Sequence, residues 1–131
     1  MVHRKKPKLS KPLTAVELEL MQVIWELGDC TIRDVHAALP KGRDLAYTSV
    51  ATMMKILEEK GALLRRKSER THTYESLVSR EEYETASLRF ITEKVFKGDR
   101  SSMVMRLLDE ADLSPEELET IRKLVNERLR S

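Results

Sequence analysis

The sequence predicts a mainly α-helical chain with one small β-hairpin, and three observations carry that prediction. Apolar residues recur at helical spacing in successive segments, four of them ended at Gly28, Pro40, Gly61 and Gly98. Capping signatures open several of these segments, such as Thr14 with Glu17 and Ser114-Pro115-Glu116-Glu117. Only the stretch from Leu63 to Leu77 reads instead as two alternating strands around a polar turn.

The 131 residues suffice for one ordinary domain, or for a small domain with an appendage. Charged residues make up 35% and aromatics 5%, which suits a helical, soluble chain and argues against disorder. No apolar run approaches bilayer length, and the basic start MVHRKKPKLSKP is followed by no secretory h-region. Cys30 is the single cysteine, so neither an internal disulfide nor a Cys-rich zinc site is expected, and a reducing cytoplasm is the natural setting. Charge is unevenly spread. Residues 1–78 carry 14 Lys/Arg against 10 Asp/Glu, whereas residues 79–131 carry 10 against 12. A basic front meeting a polyanion and an acidic back with another task fit that split.

In chain order, residues 1–12 form a basic, flexible tail broken by Pro7 and Pro12. Thr14 to Leu27 is the first helix, with Leu18, Met21, Ile24 and Trp25 as its apolar stripe and Gly28 as its stop. Thr31 to Leu39 is the second. Thr31 is its N-cap, Asp34 lies in its first turn, and Ile32, Val35, Ala38 and Leu39 face inward. A turn over residues 40–44 leads to the third, Leu45 to Glu59. Its inward face is Ala46, Val50, Met53, Met54 and Leu57. Its outward face is unusual, because the first two turns carry Thr48, Ser49, Ala51 and Thr52 where long Glu and Lys side chains would be ordinary. Short side chains let a helix backbone come close to its partner, as a helix in the DNA major groove must.

The hairpin follows, with Arg65, Arg66, Lys67 and Arg70 on its sides and near its tip. Three helices and then a basic hairpin is the order of a winged helix-turn-helix domain, here spanning residues 13–78. Residues 79–131 form a second, helical region. Ser79 starts a helix with Tyr83, Ala86, Phe90, Ile91 and Val95 on its apolar side, and Asp99 caps a second bearing Met103, Val104, Leu107 and Leu108. Ser114 starts a third with Leu118, Ile121, Leu124, Val125 and Leu129. Three short helices cannot easily bury these residues alone, so a homodimer sharing them is expected. Its interface would use Phe90, Ile91, Val104, Leu107, Leu108, Leu118, Ile121 and Val125.

Together LTAVELELMQVIWELG, YTSVATMMKILEEKGALLRR and KVFKGDRSSMVMRLL…LSPEELETIRKLV resemble the penicillinase-repressor (BlaI/MecI) family of winged-helix repressors across nearly the whole ordered chain. The resemblance implies a dimer that occupies a palindromic operator. Thr48, Ser49 and Thr52 would lie in the major groove, beside Tyr47, and Lys55 would reach a phosphate or base edge. Arg66, Lys67 and Arg70 would be wing contacts. Archetypal members are inactivated by a sensor-activated protease that cuts an Asn-Phe bond in the dimerisation region. The matching place here reads Arg106-Leu107, so cleavage near it, by a membrane sensor protease or one that the sensor activates, is a candidate release step. Copper-responsive relatives carry paired CxC motifs, which this chain lacks.

Nothing in the sequence assembles catalytic chemistry. His3, His36 and His72 share no ligand spacing with a second His or Cys, and the four glycines are scattered helix ends rather than a phosphate loop. No metal, cofactor or enzymatic activity is expected. The competing function is a winged helix that binds only another protein.

Overall fold

The computed structural model describes residues 12–68 and 70–131. The basic tail expected over residues 1–12 therefore lies, but for Pro12, outside the described residues, as does Glu69 of the hairpin turn. The elements run α1 (Ala15–Leu27), α2 (Ile32–Ala38), α3 (Tyr47–Glu59), β1 (Leu63–Lys67), β2 (His72–Ser76), α4 (Arg80–Lys94), α5 (Arg100–Glu110) and α6 (Pro115–Arg130). The mainly helical class with one hairpin is what forms. The chain divides into two compact units, Met1–Thr85 and Ala86–Ser131. The boundary expected after residue 78 falls just before α4, and the division lies later, within that helix.

Local chemistry sets the helix starts. Thr14 and Glu17 close a reciprocal box at α1, Thr31 and Asp34 at α2, and Ser114 and Glu117 at α6. Ser79 and Glu82 do the same ahead of α4, and Asp99 accepts from the Ser102 amide at α5. The Ser102 hydroxyl, which donates to the other carboxylate oxygen at 2.7 Å, and the Ser102 amide together hold the Asp99 carboxyl below its ordinary pKa.

In the first unit the three helices and the hairpin enclose one core. Leu20, Met21 and Ile24 of α1, Val35 of α2 and Val50, Met54 and Leu57 of α3 are fully buried. The strands pair antiparallel, Leu63 opposite Ser76 and Lys67 opposite His72. Cys30, between α1 and α2, adds a bridge to β2. Its amide donates to the Tyr74 carbonyl at 3.1 Å, and the Tyr74 amide donates to the Cys30 carbonyl at 2.7 Å. The hairpin is thereby tied to the helices at its base. Trp25 adds a second tie. Its indole N–H donates to the Val78 carbonyl at 2.8 Å and to Ser76 Oγ at 3.1 Å, with Tyr83 and the Arg80 guanidinium against its ring.

The α1 stripe is wider than periodicity suggested, since Glu17, Leu20 and Val23 are buried while Leu18 is only half-buried. Two residues expected inside are exposed. Ala46 precedes α3 in extended conformation, so the helical period does not reach it. Ala38 ends the two-turn α2 on the rim of an open depression lined also by Leu27, Asp29, Cys30, Asp34 and Ala37.

In the second unit α5 and α6 contain no buried residue. α4 does not carry one apolar side as expected. At 100° per residue Leu88 and Ile91 share one side, with Val95 just past the helix, and Phe90 lies on the other; all four are exposed. Thr92 is the buried residue of α4. Its hydroxyl donates to the Leu88 carbonyl at 2.6 Å and lies 3.2 Å from Met103 Sδ.

Candidate nucleic-acid interface

The helical period of α3 decides what it offers outward. With Val50, Met54 and Leu57 fixed in the core, Thr48, Ser49, Thr52 and Lys55 must face away, and all four are exposed. Thr52 Oγ1 donates to the Thr48 carbonyl at 2.9 Å. That bond folds the hydroxyl back along the helix, keeps the surface low and leaves its oxygen free to accept.

The entry to α3 is held by α2. His36 Nε2 lies 2.9 Å from the Leu45 carbonyl, and the imidazole meets the Tyr47 ring edge-on at 5.9 Å. His36 entered the sequence reading only as a histidine without a ligand-spaced partner. Its role as a strut would have been visible only with the α2–α3 turn already folded. Tyr47 itself is half-exposed at the first helical position. α3 is also the one helix with no side-chain N-cap among the described residues, and its first turn holds no acid. The C-terminal end of α3 is anchored differently. Lys60 Nζ is 2.6 Å from Glu17 Oε1 and donates to the Pro12 carbonyl at 3.2 Å.

The hairpin sorts its cations into two groups. Arg65 Nε is 3.6 Å from Glu58 Oε2 of α3, and Arg66 Nη2 is 2.7 Å from Glu75 Oε1 on the facing strand. Lys67 and Arg70 are exposed, and no carboxylate pairs with either among the described residues. The tip between them is closed by the Ser68 amide and hydroxyl, which donate to the Thr71 carbonyl at 2.9 and 3.0 Å. Of the residues expected to meet DNA, the structure thus gathers Tyr47, Thr48, Ser49, Thr52 and Lys55 on α3. It places Lys67 and Arg70 at the hairpin's outer end and engages Arg66 with an acid. Glu75 was missed by sequence reasoning, because its proximity to Arg66 depends on strand register.

The surface is therefore a low, hydroxyl-bearing helix face in the same unit as a hairpin ending in the exposed cations Lys67 and Arg70. A uniform polyanion with a wide groove fits both. Among the described residues no group of three His, Cys, Asp or Glu is placed to hold a metal ion.

Comparison with known proteins agrees along the chain. The family model described as penicillinase repressor matches residues 13–127. The methicillin resistance regulatory protein MecI of Mammaliicoccus sciuri is 26% identical over 88% of this chain and 94% of its own. The penicillinase repressor of Bacillus licheniformis is 27% identical over 88% of this chain and 90% of its own. The solution structure of the Bacillus licheniformis BlaI monomeric form in complex with the blaP half-operator has a TM-score of 0.49 at 29% identity, across 58% of this chain and 92% of that one.

Proposed function

The chain belongs to the penicillinase repressor family, and from that premise we propose that it is a transcriptional repressor that binds operator DNA through α3 and the hairpin. The observation that carries the reading is the exposed face Thr48–Ser49–Thr52–Lys55, which lacks the long acidic residues of a solvated helix. In this reading α3 enters the major groove, and Tyr47, Thr48, Ser49, Thr52 and Lys55 lie against base edges and the flanking phosphates. Lys67 and Arg70 meet the backbone beside it. The reading of the winged helix as a protein-only docking module falls with family membership.

The repressor works as a homodimer in this proposal. Phe90, Ile91, Val104, Leu107, Leu108, Leu118 and Val125 are exposed on one chain, and Ile121 is half-exposed. Apolar faces of that extent on three successive helices call for a partner, and a second copy supplies the same faces by symmetry. Two linked reading heads then occupy the two half-sites of a palindrome. Release follows loss of the dimer. Arg106 and Leu107 are exposed within α5, so a cut there by a sensor-activated protease would divide the helix that bears Val104 and Leu108. No helix among the described residues is long and apolar enough to cross a membrane, and the cytoplasm, where the DNA is, is the proposed site of action.

A gel-shift on genomic fragments from around the coding region, at two salt concentrations with competitor DNA, tests this. A specific, salt-sensitive shift is expected. A folded chain that shifts no fragment specifically would overturn the reading.

A further inference from the structure

We propose that Glu75 limits the wing's hold on DNA by withholding Arg66 from the phosphate backbone, so that non-specific affinity stays low. The inference rests on the DNA-binding reading above and concerns how that same surface is tuned.

The geometry is a diagonal cross-strand pair. Leu64 stands opposite Glu75 and Arg66 opposite Thr73, which sets Glu75 one step across the hairpin from Arg66. Both Nε (3.2 Å) and Nη2 (2.7 Å) of the guanidinium donate to the same oxygen, Oε1. The carboxylate is the more sheltered partner, with its side chain 22% exposed against 59% for Arg66. The cation therefore projects but is turned back onto the strand face. The Nε and Nη2 donors are committed to Glu75, and a phosphate could take them only by displacing its carboxylate. Lys67, one residue along β1, stands opposite His72 instead, and no carboxylate pairs with it among the described residues.

The consequence is a division of labour. Phosphate contacts supply sequence-independent affinity, so every additional one strengthens binding to bulk DNA as much as to an operator. Holding one wing cation in reserve leaves the α3 face a larger share of discrimination.

A double-mutant cycle on the full chain tests this, with binding to a random-sequence duplex and to the shifted genomic fragment read across a salt series. Glu75→Gln is expected to tighten both severalfold and to steepen the dependence of log K on log salt by about 0.9, one further phosphate contact. Arg66→Gln alone is expected to leave binding near wild type, and the double variant to return to it. Glu75→Thr, which keeps strand preference and lacks any carboxyl, should repeat the gain and guards against a folding artefact. If Arg66→Gln weakens binding as much as Lys67→Gln, Arg66 already touches DNA and the proposal is overturned. A Glu75→Gln gain that persists without Arg66 would mean simple charge removal, which also overturns it. Wild-type binding with no gain in either Glu75 variant rejects this inference alone. A wild type that binds neither DNA at any salt rejects the DNA-binding reading itself, and this inference with it.

Discussion

Lys60, just past the last turn of α3, places its ammonium 2.6 Å from Oε1 of Glu17 in the first turn of α1. Glu17 is almost wholly buried, and the same oxygen accepts from the Thr14 amide. One carboxylate thus caps one helix and fastens another. Burial alone would raise its pKa, but Lys60 and the Thr14 amide outweigh it and hold the carboxyl below the usual 4.5.

Glu17→Ala is therefore expected to destabilise the first unit by about 2–4 kcal/mol, since it removes a capping box and strands a mostly buried cation. Glu17 contributes its ionic stabilisation fully above pH 4.5, and the contribution is lost as pH falls through the lowered folded value. Denaturant melts of wild type and Glu17→Gln should converge on acidification. Parallel curves down to strongly acid pH would contradict the coupling.

The Cys30 thiol is pushed up to about 11, first by burial and then by Asp34 and Asp29. Its folded pKa is raised, so its contribution is present below the ordinary 9.0 and lost as pH climbs toward about 11. Tyr74, across the backbone bridge, is raised too, again first by burial. Cys30→Ala should shrink the alkaline loss of stability without abolishing it, at a cost of about 1 kcal/mol at neutral pH. Thiol titration of the native wild type at pH 8 should be slow and should accelerate on unfolding. Fast native labelling would mean the bridge opens readily.

Thr52→Glu is expected to weaken operator binding by about tenfold to a hundredfold, because it sets a long carboxylate on the α3 face. Helix content by circular dichroism should not change, since Thr52 is exposed. An unaltered footprint from this variant would place the reading surface elsewhere.

Leu107 is 63% exposed on α5. Leu107→Asp is expected to convert a dimer to a monomer in sedimentation equilibrium and to cost operator affinity roughly a hundredfold through lost linkage of half-sites. A variant that remains dimeric would remove α5 from the interface.

What the sequence disclosed follows from the range of the interactions involved. Capping boxes join residues three apart, so Thr14–Glu17, Thr31–Asp34 and Ser114–Glu117 were visible as helix starts. The outward face of α3 was legible too, because its spacing from Val50, Met54 and Leu57 is set by the helix alone. Contacts made across the fold were not. The Trp25 indole reaches Val78 from 53 positions away, and Arg66 meets Glu75 only once strand register is fixed. On α4 the periodicity misled, since a helix with apolar residues on two sides reads as one broad stripe.

Trp25 is the only tryptophan of the chain. Its indole sits between the Val78 carbonyl, the Tyr83 ring and the Arg80 guanidinium, which lies 5.6 Å from the ring centroid. The chain consequently contains its own optical probe for the seating of the first turn of α4. Emission from this single indole should shift whenever Arg80 and Tyr83 lift from the ring. Unlabelled protein can thus report in real time whether the junction after the hairpin stays closed as the repressor takes up or leaves DNA.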